Sequence, residues 1–185
     1  MSAQEVGRYM PAVVTLDDLA AMIAADEYGH RYETSPEGAL SVVPPPDNAH
    51  GFIATDLMAW LIAAGFPRRQ IAQVAGIRIP GRTVDGGRIP DLVIWSRPQP
   101  PAVVWNATTD LLAVVEIISP GSEAIDQLVK VAEYAKAGIP GYWTVARDPR
   151  NTVTLFRLGS NDTYETAGQM SLEDLLEQSP TSFLD

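Results

Sequence analysis

A chain of 185 residues with 46% apolar and 19% charged residues has the length of one ordinary domain and enough apolar mass for a core, which excludes an intrinsically disordered chain. The absence of cysteine excludes disulfide frameworks and thiolate metal sites. No stretch approaches a membrane span or joins a basic start to an apolar signal region, so the expectation is a soluble, cytoplasmic protein without a membrane segment. A formal charge of −10 argues against broad capture of nucleic acid, which needs Lys and Arg against phosphates. Arg68, Arg69, Arg78, Arg82 and Arg88 nevertheless form a short basic strip.

Thr15-Leu16-Asp17-Asp18 reads as a helix entry with Thr15 as N-cap, followed by Leu16, Leu19, Ala20 and Ile23 at helical spacing. Residues 32–34 and 39–43 flank Ser35-Pro36-Glu37-Gly38 as a hairpin, which Pro44, Pro45 and Pro46 stop. A second helix is predicted from Asp47 or Asn48 to Gly65, with Phe52, Ile53, Leu57, Trp60 and Leu61 on its apolar face. Strands follow over Ile71–Ile79 and Arg88–Trp95, with Asp85-Gly86-Gly87 as their hairpin turn.

The run Leu111 to Ile118 is almost unbroken in its apolarity and predicts a central strand covered on both faces. Ser119-Pro120-Gly121-Ser122 ends it, a helix runs to about Lys136, and Gly138 closes that helix. On this helix Asp126, Lys130, Glu133 and Tyr134 form one series, and Ile125, Leu128, Val129 and Ala132 form a neighbouring apolar stripe. Strands near 142–146, 152–157 and 163–166 complete a mixed sheet. The whole is an α/β domain with helices packed on the sheet, spanning 1–185 as one unit, with 1–25 as a helical appendage and the core at about 30–170.

Glu116 is the most informative residue, because a carboxylate inside an apolar strand is costly to bury unless it is paired, hydrogen-bonded or metal-bound. Asp91 opens the apolar segment Leu92 to Trp95, so two carboxylates converge if these strands are neighbours. Such a pair, with water, suits Mg²⁺ or Mn²⁺. The alternative makes Asp91 a turn residue and Glu116 a strand-end residue reaching solvent or an arginine. Lys130 has its own plain account as an exposed i,i+4 partner of Asp126. Ser119 and Ser122 lack a Gly-x-Ser-x-Gly context and a following histidine, so a serine nucleophile is set aside.

Pro90-Asp91, Val115-Glu116-Ile117-Ile118-Ser119-Pro120, Asp126, Lys130, Tyr134, Ala137-Gly138-Ile139-Pro140 and Tyr142-Trp143 together resemble the Uma-type restriction endonuclease family of the PD-(D/E)XK nuclease superfamily. The resemblance implies a restriction-endonuclease-like mixed sheet flanked by helices. It also implies that Asp91 and Glu116 bind a metal, with the Ile117 carbonyl as a further ligand. The usual lysine position, two residues after the glutamate, is Ile118 here, so the resemblance transfers that role to Lys130 on the following helix. Glu33 matches an acidic position of the family pattern; His50 and Tyr134 are accessory candidates, for a phosphate or water contact and for steadying the site.

The leading expectation is therefore a Mg²⁺- or Mn²⁺-dependent endonuclease that hydrolyses phosphodiester bonds in DNA, with a homodimer permitted. A nuclease-like binding or regulatory module without robust cleavage is the alternative, and the acidic balance supports it. A carboxylate-pair glycosidase is disfavoured by the small size and the lysine.

Overall fold

The computed structural model describes residues 13–43, 45–118 and 123–184. The expected turn at Ser119–Ser122 and the stop at Pro44 lie outside the described residues, as do the side chains of Ile125 and Asp126. Helix α1 (Leu16–Ala25) begins at a capping box between Thr15 and Asp18 and buries Leu16 and Leu19. Strands β1 (Arg31–Thr34) and β2 (Leu40–Val43) pair antiparallel as the expected hairpin. Helix α2 (Asn48–Ala63) starts where the Asp47 side chain accepts the His50 N–H, and it buries Ile53, Leu57, Trp60 and Leu61. Phe52, expected on the same apolar face, is instead 68% exposed.

The middle of the chain departs most from expectation. The single strand expected over 71–79 is two, β3 (Ile71–Gln73) and β4 (Gly76–Ile79), divided at Val74 with a φ of 55°. The strand expected over 88–95 divides likewise into β5 (Gly86–Arg88) and β6 (Leu92–Trp95), at Pro90, which has no N–H to give to a ladder. Gly86 and Gly87 belong to a strand rather than to the turn. A Cβ on Gly87 would stand 2.8 Å from the Trp105 ring and 2.9 Å from Leu16, so close approach of the chain is what calls for glycine there. The connection lies just before, where the Gly81 N–H reaches the Asp85 carboxylate at 3.2 Å.

These two breaks send adjacent segments into different sheets. With β7 (Trp105–Asn106), one sheet runs β2-β1-β5-β4-β7. With β8 (Leu111–Ile118), β9 (Gly141–Ala146), β10 (Thr152–Leu158) and β11 (Tyr164–Ser171), the other runs β11-β10-β9-β8-β6-β3. Both sheets are mixed: β4–β7 and β8–β9 are parallel pairs. Parallel neighbours need a crossover, which α3 (Glu123–Lys136) supplies between β8 and β9. Gly138, at a φ of 71°, ends that helix, with the Ile139 N–H returning to the Tyr134 carbonyl at 3.1 Å. Short helices α4 (Leu172–Leu176) and α5 (Thr181–Leu184) follow β11. Among the described residues no helix is long and apolar enough to cross a membrane.

Strand periodicity assigns each face of β8 its own cover. Val115 and Ile117 join Leu57, Trp60, Leu61 and Trp143 on the α2 side; Val114 joins Val93, Tyr134, Ile139 and Tyr142 on the α3 side. Helix α3 turns its polar series, not its apolar stripe, toward the sheet. Leu128 and Val129 are 77% and 41% exposed, whereas Lys130, Glu133 and Tyr134 are buried. The polar series faces inward because carboxylates and a guanidinium wait for it beneath.

Candidate functional site

The register of β6 against β8 sets Leu92 opposite Val115, which brings Asp91, one residue earlier, level with Glu116, one residue later. Both acids are 7% exposed. They therefore lie side by side in the interior, Asp91 in the bend before β6 and Glu116 within β8, and Glu116 does not reach solvent as the alternative required. Each carboxylate is held from several directions. The Ile117 N–H donates to Asp91 Oδ2 at 2.8 Å. On Oδ1 of the same side chain, His50 Nε2 lies at 2.9 Å and Arg31 Nη1 at 3.9 Å.

Glu116 Oε1 receives the Tyr134 hydroxyl at 2.6 Å and the Lys130 ammonium at 3.1 Å. Lys130, Glu133 and Tyr134 stand three or four residues apart and so share one helix face. Burial pushes the Glu116 carboxyl up to about 7; the Lys130 ammonium pulls it back, Asp91 and Glu33 add to the rise, and the Tyr134 bond opposes it. Burial, followed by the Glu116 charge, likewise raises the Tyr134 hydroxyl well above its ordinary value. Tyr134 thus remains a donor.

A second cluster backs the first. Glu33, on β1, accepts the Ile89 N–H at Oε1, 2.9 Å away, and lies 3.4 Å from Lys130 Nζ through Oε2. Arg88, at the end of β5, grips Glu133 with two bonds of 2.7 Å and reaches Glu33 Oε2 at 3.2 Å. Burial works against the Arg88 charge, but Glu133 and Glu33 outweigh it and raise its pKa.

Asp91, Glu116, Lys130, Glu33, His50 and Tyr134 are brought together from β1, α2, the β5–β6 connection, β8 and α3. Of the two accounts of Lys130, burial beside Glu116 describes it and an exposed position does not. Arg88 leaves the basic strip for the interior, while Arg78 lies 3.6 Å from Asp85. Arg31, Arg88 and Glu133 are members of this site to which sequence reasoning gave no role in it. An arginine directly before Ile89-Pro90-Asp91 was the available signal, visible only once the strand break there is known. His50 does more than start α2: its N–H is capped by Asp47, and its ring, 7% exposed, has Nδ1 buried without a hydrogen-bond partner among the described residues.

A mixed sheet with helices on both faces is the restriction-endonuclease-like architecture. A crystal structure described as a "putative nuclease belonging to DUF820" from Anabaena variabilis has this fold: the match has a TM-score of 0.63 at 19% identity and covers 89% of this chain and 98% of that one. The family model Uma2, described as "Putative restriction endonuclease", matches residues 16–182, and the chain belongs to that family. No curated protein matches it.

Proposed function

We propose that this chain is a metal-dependent endonuclease hydrolysing phosphodiester bonds in DNA. One observation carries the reading: two buried carboxylates from neighbouring strands, Asp91 and Glu116, meet beside the Lys130 ammonium. With the Ile117 carbonyl, which the family resemblance adds, they would make an all-oxygen donor set, the preference of Mg²⁺ and Mn²⁺. Among the described residues no three His, Asp or Glu side chains gather into a ready cage, so water would complete the shell, as Mg²⁺ commonly requires. Both Asp91 oxygens already accept bonds, but a carboxylate has about four lone-pair sites in all, which leaves capacity for a cation.

A bound cation would supply Lewis-acid polarisation of the phosphate and of the attacking water. The chain's own groups do the rest. Ile117 N–H and His50 fix Asp91; Tyr134 fixes Glu116. Lys130 stabilises the negative charge that gathers on the phosphate as water attacks, which a preorganised cation in a buried site does effectively. Neither Ser119 nor Ser122 is needed as a nucleophile, so hydrolysis proceeds without a covalent intermediate. Two copies would place one site on each strand of a duplex, which is the reason to expect a homodimer on DNA.

Mn²⁺ titration, followed by cleavage assays on supercoiled, linear, single-stranded and branched DNA, tests the proposal. Glu116→Ala should stay folded and lose metal-dependent cleavage; full cleavage by that variant would sink it. The charge of −10 favours a second reading, a nuclease-like binding module. Specific metal binding by the wild type with no cleavage of any DNA form would select it.

A further inference from the structure

Resting on that reading of the site, we infer that Arg88 is a positioning residue: by taking up the charge of Glu33, it keeps the Lys130 ammonium committed to Glu116. The interior here holds four acids, Glu33, Asp91, Glu116 and Glu133, at 2%, 7%, 7% and 6% exposure. Glu33 Oε2 lies between two cations, 3.2 Å from Arg88 Nη1 and 3.4 Å from Lys130 Nζ. Lys130 in turn lies between two carboxylates, with Glu116 Oε1 at 3.1 Å. Charge removed at one end of this chain is felt at the other, because the low local dielectric strengthens each interaction.

The geometry also says which member gives way. Pairing of Thr34 with Gly87 sets β1 beside β5, and the Ile89 N–H pins Glu33 through Oε1 at 2.9 Å. Glu33 is therefore fixed to the backbone of the next strand. The ammonium, by contrast, ends a flexible four-carbon stem. Without the Arg88 guanidinium, Glu33 loses one of the two cations flanking its Oε2 and draws the other, the Lys130 ammonium, toward itself, away from Glu116. A purely structural role, in which Arg88 only clamps α3 through Glu133, makes a different forecast. Glu133→Gln would then mimic loss of Arg88, and neutralising Glu33 would repair nothing.

The chain contains only two lysines, Lys130 and Lys136, so ¹⁵Nζ spectra read the buried ammonium directly, with the exposed Lys136 as an internal reference. In metal-free protein, Arg88→Met should shift the Lys130 resonance, Glu33→Gln added to Arg88→Met should bring it back toward wild type, and Glu133→Gln should leave it near wild type. In single-turnover cleavage Arg88→Met should lower the rate about 10- to 100-fold, as loss of a supporting contact commonly does, with KM little changed and the rate recovered by Glu33→Gln. An unmoved Lys130 in folded Arg88→Met, or a shift that Glu33→Gln does not reverse, overturns the inference. Should Arg88→Met fail to fold, Arg88→Gln removes the charge and keeps a side-chain donor. It should give the same shift, which Glu33→Gln reverses, and no shift overturns the inference. The spectra need neither metal nor DNA, so a wild type that cleaves nothing would break the nuclease reading and leave this test intact.

Discussion

The two faces of the six-stranded sheet are held by different physics. On the α2 side, Leu57 and Leu61 pack with Val115 and Trp143 in an apolar cluster, and the helix is held by area removed from water. On the α3 side, apolar packing through Tyr134 and Ile139 is continued by an ionic lattice of Glu33, Arg88, Glu116, Lys130 and Glu133. Buried ion pairs add little net stability over apolar substitutes, but breaking one is costly. The α2 face is thus built for stability and the α3 face for a defined arrangement of charge.

The sharpest break in that comparison comes from the acids. Glu116→Ala and Asp91→Asn should each lower metal-dependent cleavage by about 10²- to 10³-fold or more, by analogy with loss of one preorganised electrostatic group, while circular dichroism shows a folded chain. Unfolding of both variants would mean that the acids are structural. On the opposite face, Leu61→Ala should cost about 2–5 kcal/mol in denaturant melts, the usual range for a fully buried leucine, while the folded fraction retains its cleavage rate. Lys130→Ala should slow cleavage by about 10²-fold and change Mn²⁺ affinity less, as separate titration and single-turnover measurements would show.

A smaller effect follows from the buried charge itself. Glu116 titrates at about 7 when folded against an ordinary 4.5. Between these values the folded chain holds a proton that the unfolded chain has released, so metal-free stability falls as pH rises through this window. Thermal melts across pH 5–8 should show the decline, and Glu116→Gln should flatten it; an equal slope in both proteins would refute the assignment. The smallest effect belongs to the outward side of α3. Leu128→Ser, at a position 77% exposed, should change stability by no more than about 0.5 kcal/mol, and a large loss would show that this face is covered.

Much of this was legible in particular residues. Thr15 and Asp18 marked the start of α1, the apolar run 111–118 marked a central strand, and Gly138 marked the end of α3. The second hairpin was not legible. Val74 and Pro90 break two strands, and local alternation carries no signal for which sheet each fragment joins. The same gap hid Arg88 and Glu133. The apolar stripe on α3 gave the conventional cue for an inward face, and only the sheet charges beneath explain why Lys130, Glu133 and Tyr134 face inward instead.

Composition and local pattern by themselves determined that the chain would fold as an α/β domain, and that Glu116 would need a compensating partner, because burying a lone carboxylate is prohibitive. Which candidates touch it, and from which side, was decided only by tertiary structure. Strand register sets Asp91 level with Glu116, and the β8–α3–β9 crossover carries Lys130 and Tyr134 over them. Pairing of β1 with β5 delivers Glu33 and Arg88. Each of these contacts joins residues far apart in the chain, and electrostatic pairing depends on distance in space, which spacing along a sequence does not contain.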